Sequence, residues 1–175
     1  MALEEILTSD DVISSINNNL DYLLEIIPEI KDMIGFDQKH PHHHLDVWEH
    51  TLYAISMSDN DFEIRLVLLL HDIGKPHSYI EKDSIRHFPN HGAVSAIMSK
   101  KILRRLNYPE EFIKEVCYLI KEHDKPITKE EISSNYTLAY KKYLVQKCDA
   151  LAHNPDKLEK RKKYLKRIKD DLEHK

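Results

Sequence analysis

Apolar residues recur at helical spacing along most of the chain, and the pattern predicts a succession of helices. Leu20, Leu23, Leu24, Ile27 and Ile30 share one face of a helix in "NLDYLLEIIPEIKDMIG", with Pro28 as a kink and Gly35 as a stop. The polar stretch "QKHPHHHLD" breaks the pattern, and Asp46 then caps a helix through Trp48, Leu52 and Ile55. Asp59 or Asn60 caps the next, Asp61 to about Asp72, which contains the most hydrophobic run, Leu66 to Leu70. Between Pro76 and Pro89, "SYIEKDSIRHF" has two short β-prone pieces around "EKDS", which predicts a small hairpin or extended loop over residues 77–88. Asn90 starts a helix with Ala93, Ile97, Ile102 and Leu106 on its apolar side, and Pro109 opens one from Glu110 to His123. Two more helices run from Tyr136 to about His153 and from Asp156 to near the end. The predicted fold is all-α, without internal repeats or low-complexity linkers.

Composition agrees with this pattern. The 175 residues suit one domain with a substantial core, and only 3 glycines and 7 prolines suit a mostly helical chain. The net charge of −4 is unevenly spread. Residues 1–37 carry nine acids against one lysine, whereas residues 157–175 carry nine bases against four acids. The basic end reads as a solvated helix laced with local ion pairs, or, less simply, as a surface for RNA phosphates. The two cysteines, Cys117 and Cys148, imply no disulfide framework. No leader-like segment opens the chain, and no run approaches the roughly 18 apolar residues of a membrane span. A cytoplasmic protein without membrane contact is expected, of undetermined oligomeric state.

Candidate chemistry enters at "LVLLLHDIGKPHSY", where the apolar run ends in two titratable groups, His71 and Asp72. Burying such groups is costly unless something pairs with them, and a cation is one such partner. His50 lies in one predicted helix and His71 and Asp72 at the end of the next. His91 starts a third, His123 ends a fourth, and Asp149 lies within a fifth. Neutral imidazoles and carboxylates are suitable ligands for zinc, iron, manganese, nickel or cobalt, with magnesium also compatible. Residue chemistry alone leaves a metal site and an assortment of core and surface histidines evenly matched.

The motifs "HHHLDVWEHT", "LLLHDIGKP", "HFPNHGAVSA", "LIKEHDKP" and "CDALAHNP" together resemble the HD superfamily of metal-dependent phosphohydrolases. The nearest similarity is to the HD domain of bacterial CCA-adding tRNA nucleotidyltransferases, over about residues 42–155. No glycine-serine motif followed by paired aspartates precedes this region, so the expectation is a free-standing HD domain. It spans residues 1–175, with helices in 1–37 and the basic helix in 156–175 as extensions. The resemblance implies that His50, His71, Asp72 and Asp149 hold one divalent ion, and that His91 and His123 hold a second with Asp72 bridging. It also implies that Lys75 lies near the substrate phosphate, where the plain alternative is a solvated lysine beside a helix-ending glycine.

The expected activity is hydrolysis of a phosphate ester by metal-activated water, with Asp72 and Lys75 in the catalytic set. Small phosphorylated substrates follow, nucleotides first, including 2′,3′-cyclic nucleotides and phosphomonoesters. His44 is a further substrate-binding candidate, whereas His77, His87, His153 and His174 read as surface or capping residues. The competing expectation is a noncatalytic, metal-stabilised module that binds nucleotide or RNA.

Overall fold

The helices of the chain are started and stopped by short-range capping chemistry, visible in a computed structural model that describes residues 2–174. Three short helices open the chain: α1 (Leu3–Leu7), α2 (Val12–Asn18) and α3 (Leu20–Ile26). Pro28 does more than kink the third. It has no N–H to continue the ladder, so α3 ends and Pro28–Asp32 forms a 3-10 turn instead. In α4 (Val47–Ser56), Asp46 and Glu49 form a reciprocal cap: Glu49 N–H donates to Asp46 Oδ1 at 2.7 Å and Asp46 N–H to Glu49 Oε1 at 3.0 Å.

The cap of α5 (Phe62–Leu70) is Asp61, not Asp59 or Asn60, since Asp61 Oδ1 accepts the Ile64 N–H at 2.9 Å. Asn60 instead donates to the Thr8 carbonyl at 2.7 Å. The small hairpin forms as expected, β1 (Ile80–Lys82) pairing antiparallel with β2 (Ile85–His87). Its two-residue loop, Asp83-Ser84, has positive φ at both positions, the twist that tight hairpins prefer. The remaining helices are α6 (His91–Arg105), α7 (Glu110–Glu122), α8 (Lys129–Ser134), α9 (Tyr136–Leu151) and α10 (Glu159–Glu173). α8 has no counterpart in the sequence reading. α10 starts three residues later than expected, because Pro155–Lys157 forms a 3-10 turn.

Helix α5 runs through the middle of the core, with Ile64 to Leu70 buried throughout, and packs against α4, α7 and α9. Each fully buried Leu or Ile contributes roughly 1.5–3 kcal/mol. Arg65 is part of this run and only 5% exposed. Its guanidinium donates to the Leu7 carbonyl at 2.7 Å, the Ser9 carbonyl at 3.0 Å and Asn60 Oδ1 at 3.2 Å, which ties the N-terminal helices to the core. A second apolar cluster joins Ile127, Ile132, Ala139, Tyr143, Ile168 and Leu172, holding α10 against α8 and α9. No helix among the described residues is long and apolar enough to cross a membrane.

Helix α6 departs from its expected apolar face. Ile97 is 60% exposed, while Gly92, Ser95, Ala96 and Ser99 lie inside with Ile102 and Leu103. Small residues face inward because α6 sits unusually close to its neighbours. A Cβ on Gly74 would lie 2.6 Å from the Ser95 backbone nitrogen, and one on Gly92 would lie 2.8 Å from the Lys121 carbonyl oxygen. Gly74 N–H also donates to Ser95 Oγ at 2.8 Å.

Two expectations follow from this packing. Gly74→Ala forces α6 away from the turn after α5 and should destabilise the fold by about 1–3 kcal/mol. A urea unfolding midpoint equal to that of the parent chain would contradict it. The second concerns Lys141 of α9, whose Nζ lies 2.7 Å from Glu63 Oε1 and 2.8 Å from Glu115 Oε2. One cation serves two carboxylates. Burial, reinforced by Glu115, raises the Glu63 carboxyl to about 7. A folded pKa above the unfolded one means that this stability is fully present below about pH 4.5 and is lost as pH rises through 7. Glu63→Gln imitates the protonated acid, so its gain in melting temperature over the parent should be larger at about pH 8.5 than at about pH 6. Equal differences at the two pH values would refute this account.

Candidate metal centre

Three helix ends and two positions inside helices converge beside the core. His50 comes from α4, His71 and Asp72 follow the last turn of α5, His91 is the first residue of α6, His123 follows α7, and Asp149 lies in α9. All but His91 and Asp149 are buried, and those two side chains are only 13% exposed. His50, His71, Asp72 and Asp149 form one group able to hold a metal ion; Asp72, His91 and His123 form another.

The tautomers of these imidazoles are fixed by the backbone. Nδ1 of His50 faces the Ala152 carbonyl at 3.2 Å, that of His71 the Leu68 carbonyl at 2.6 Å, that of His91 the Phe88 carbonyl at 2.9 Å, and that of His123 the Ile120 carbonyl at 2.6 Å. A carbonyl oxygen only accepts, so each Nδ1 carries a proton, and a ring that is neutral turns its Nε2 lone pair inward. There the acceptors crowd one another. His50 Nε2 lies 2.7 Å from Asp149 Oδ1, His71 Nε2 lies 3.2 Å from both Asp149 Oδ1 and Asp72 Oδ2, and His91 and His123 Nε2 are 3.1 Å apart. Both carboxylate oxygens of Asp72 are buried without a hydrogen-bond partner.

Facing lone pairs and an unsatisfied buried carboxylate need positive charge between them. Ligand atoms around one first-row ion sit roughly 3 Å apart when each is about 2.0–2.2 Å from it. The residues therefore fit a divalent cation. Asp72 also divides its two oxygens between the groups: Oδ2 faces His50 at 3.4 Å and His71, while Oδ1 faces His91 at 3.4 Å and His123 at 3.6 Å.

Proton equilibria reflect the same demand for charge. Burial would raise the Asp72 carboxyl, but His71 and Lys75 hold it well below the usual range. Burial likewise opposes ionisation of Asp149, and hydrogen bonding to His50 and His71 overrides it. Burial would lower His71, yet Asp72, joined by Asp149, raises it to about 10, so a proton there supplies the missing charge. Burial and the adjacent His71 push His123 down to about 4, the neutral form that a metal needs.

Lys75 is not a solvated helix-end lysine. It is 3% exposed, and its Nζ donates to Gln38 Oε1 at 2.7 Å, lies 3.3 Å from Asp72 Oδ2 and sits over the Phe88 ring. The sequence reading missed Gln38, which belongs to no periodic pattern. His44 is exposed and does not line the cleft; His43 does. Asn154 N–H donates to the His42 carbonyl at 2.9 Å and Asn154 Nδ2 to that of Pro41 at 3.2 Å, and the loop so held turns His43 inward against His153. His153 is no surface residue either: it is 4% exposed, and its Nδ1–H donates to the Asp149 carbonyl. His77, His87 and His174 are exposed, as expected, and Cys148 is buried.

A cleft of about 550 Å³ opens onto the cluster, lined on its far side by Lys125, Lys157, Lys160 and Arg161. One face of the basic helix thus belongs to the site, rather than to solvent alone.

Comparison with known proteins agrees with this geometry. The chain is 35% identical over 104 residues to the A-adding tRNA nucleotidyltransferase of Deinococcus radiodurans, covering 55% of this chain and 24% of that protein. It is 32% identical over 104 residues to the CC-adding tRNA nucleotidyltransferase of Thermus thermophilus, with the same coverage. With the multifunctional CCA protein of Shewanella denitrificans it shares 29% over 109 residues, 59% of this chain and 26% of that protein. The alignments thus take in about a quarter of each relative's length. Residues 42–169, which include every member of the His/Asp cluster, match the HD domain, and the chain belongs to the HD domain family.

Proposed function

We propose that the protein is a metal-dependent phosphohydrolase that cleaves a phosphate ester, most simply that of a nucleotide. The carrying observation is Asp72: a buried carboxylate whose two oxygens accept no hydrogen bond and face different pairs of Nε2 atoms, with the Lys75 ion pair on the Oδ2 side only. His50, His71, Asp72 and Asp149 would hold one divalent ion, and Asp72, His91 and His123 would hold a second. Such ions, when bound, supply Lewis acidity toward phosphoryl oxygens and a water of lowered pKa.

The chain's own groups do the positioning. The carbonyls behind the four imidazoles keep the Nε2 atoms aimed inward and hold the tautomer required of a ligand. Gln38 and Phe88 fix Lys75 in one place, so its ammonium meets a phosphoryl oxygen without first reorganising. The cleft has the volume of a nucleotide-sized ligand. The relatives are named for nucleotide addition to tRNA, which supports a nucleotide or RNA-derived substrate here. The transfer reaction itself is not carried over, since only about a quarter of those proteins is matched.

The test is elemental analysis of the untagged chain together with a screen of nucleoside monophosphates and 2′,3′-cyclic nucleotides against manganese, nickel, cobalt, iron, zinc and magnesium. The parent chain should carry one to two equivalents of metal and turn over at least one nucleotide. Asp72→Asn should lose the metal and at least about a hundredfold in kcat/KM, since it removes a ligand shared by both groups. An Asp72→Asn protein that is metal-free and fully active would refute the mechanism. Metal and nucleotide binding without turnover would favour the noncatalytic module.

A further inference from the structure

The basic C-terminal helix presents a built surface to the cleft. Lys157, Lys160, Arg161, Tyr164 and Leu165 line it, a stripe at helical spacing that runs from the 3-10 turn into α10. None of these three cations is in an ion pair among the described residues. Glu122 pairs with Lys125 at 2.7 Å, Glu159 with Lys163 at 4.0 Å, and Asp124 lies 4.0 Å from His91. Helix N-termini favour acids, because the peptide dipoles leave partial positive charge there. In α10, Lys160, Arg161 and Lys162 follow Glu159 in the opening turn, so positive charge accumulates where the dipole opposes it. A bound anion relieves both.

This wall is held rigidly in place. The Tyr164 hydroxyl accepts the Ile127 N–H at 2.8 Å and donates to Gln146 Oε1 at 2.8 Å. Gln146 Nε2 in turn donates to the Lys125 carbonyl at 2.7 Å. Ile168 and Leu172, further along α10, are buried in the second apolar cluster. Apart from Asp72 and Asp149, Asp124 is the one acid among the residues lining the cleft, and Pro126, Ala150 and Leu165 give it apolar surface.

We infer that Lys157, Lys160 and Arg161 form a subsite for a second phosphate, so the preferred substrate is a nucleotide bearing two separate phosphate groups. One phosphate lies at the His/Asp cluster, the other on the α10 stripe, and the nucleoside lies along the apolar lining. The assignment rests on the phosphohydrolase reading for the first phosphate only; the second is bound by charge and hydrogen bonding.

The experiment measures affinity for the full, metal-loaded chain at low salt, by calorimetric titration, or as the competitive inhibition constant against a turned-over nucleotide where a ligand is itself consumed. Adenosine 3′,5′-bisphosphate is compared with adenosine 3′-monophosphate and 5′-monophosphate, and the difference isolates the second phosphate. The bisphosphate should bind at least about tenfold more tightly than either monophosphate. Lys157→Ala/Lys160→Ala/Arg161→Ala should reduce that preference to about threefold or less, and Lys160→Glu alone should move it in the same direction. The three residues are outside the core, and a circular dichroism spectrum matching the parent chain checks the fold of each variant. Equal affinity for the three ligands, or a preference that survives the triple substitution, would overturn the subsite. Absence of hydrolysis would count against the phosphohydrolase reading instead, while the binding preference decides this one.

Discussion

Asp72 is 1% exposed and accepts no hydrogen bond at either oxygen, yet the groups around it keep it ionised. An isolated carboxylate in such a place would cost several kcal/mol, far more than a single side chain normally contributes to folding. The surrounding groups make sense as the answer to that charge. Four imidazoles, a second carboxylate and one lysine gather within hydrogen-bonding or ion-pairing reach of one another, and each ring is oriented from behind by a backbone carbonyl. Those of Leu68 and Ile120 belong to the last turns of α5 and α7, that of Ala152 follows α9, and that of Phe88 lies just before α6. His71 and His123 use the same device, each bonding a carbonyl three residues back in its own last turn.

Bringing these ends together requires helices closer than ordinary side chains permit. Gly74 and Gly92 provide the approach, one against Ser95 of α6 and the other against the last turn of α7. Both are in or beside the helix that carries His91. The inward face of α6 is correspondingly built of Gly, Ser and Ala, and its large apolar residue, Ile97, is left outside. Packing here gives up apolar burial along α6 in exchange for the position of one histidine relative to two others.

The C-terminal helix extends the same logic outward. It is anchored by a small apolar cluster and by the Tyr164 hydroxyl, and it adds cationic side chains to a cleft whose floor is anionic. The acids of the floor and the bases of the wall favour opposite partners, cations below and phosphates above. That division fits a site that handles a metal and an anion together.

Much of this was legible in the sequence. Helical periodicity, Pro and Asp at element boundaries, and the "EKDS" turn identified most of the elements, because capping and turn formation depend on residues only a few positions apart. The order of His50, His71-Asp72, His91, His123 and Asp149 on successive helices left a shared centre and scattered histidines evenly matched, and the resemblance to the HD superfamily decided between them. Tertiary structure alone decided the rest. The choice of His43 over His44 depends on hydrogen bonds to Asn154 across 113 residues. The burial of Lys75 depends on Gln38, 37 residues away, and that of His153 on the fold of the loop before α4. Periodicity says which side of a helix is apolar, but which neighbour that side meets is set by contacts between distant segments. For the same reason a basic helix that looked solvated along its whole length turned out to present one face to the site.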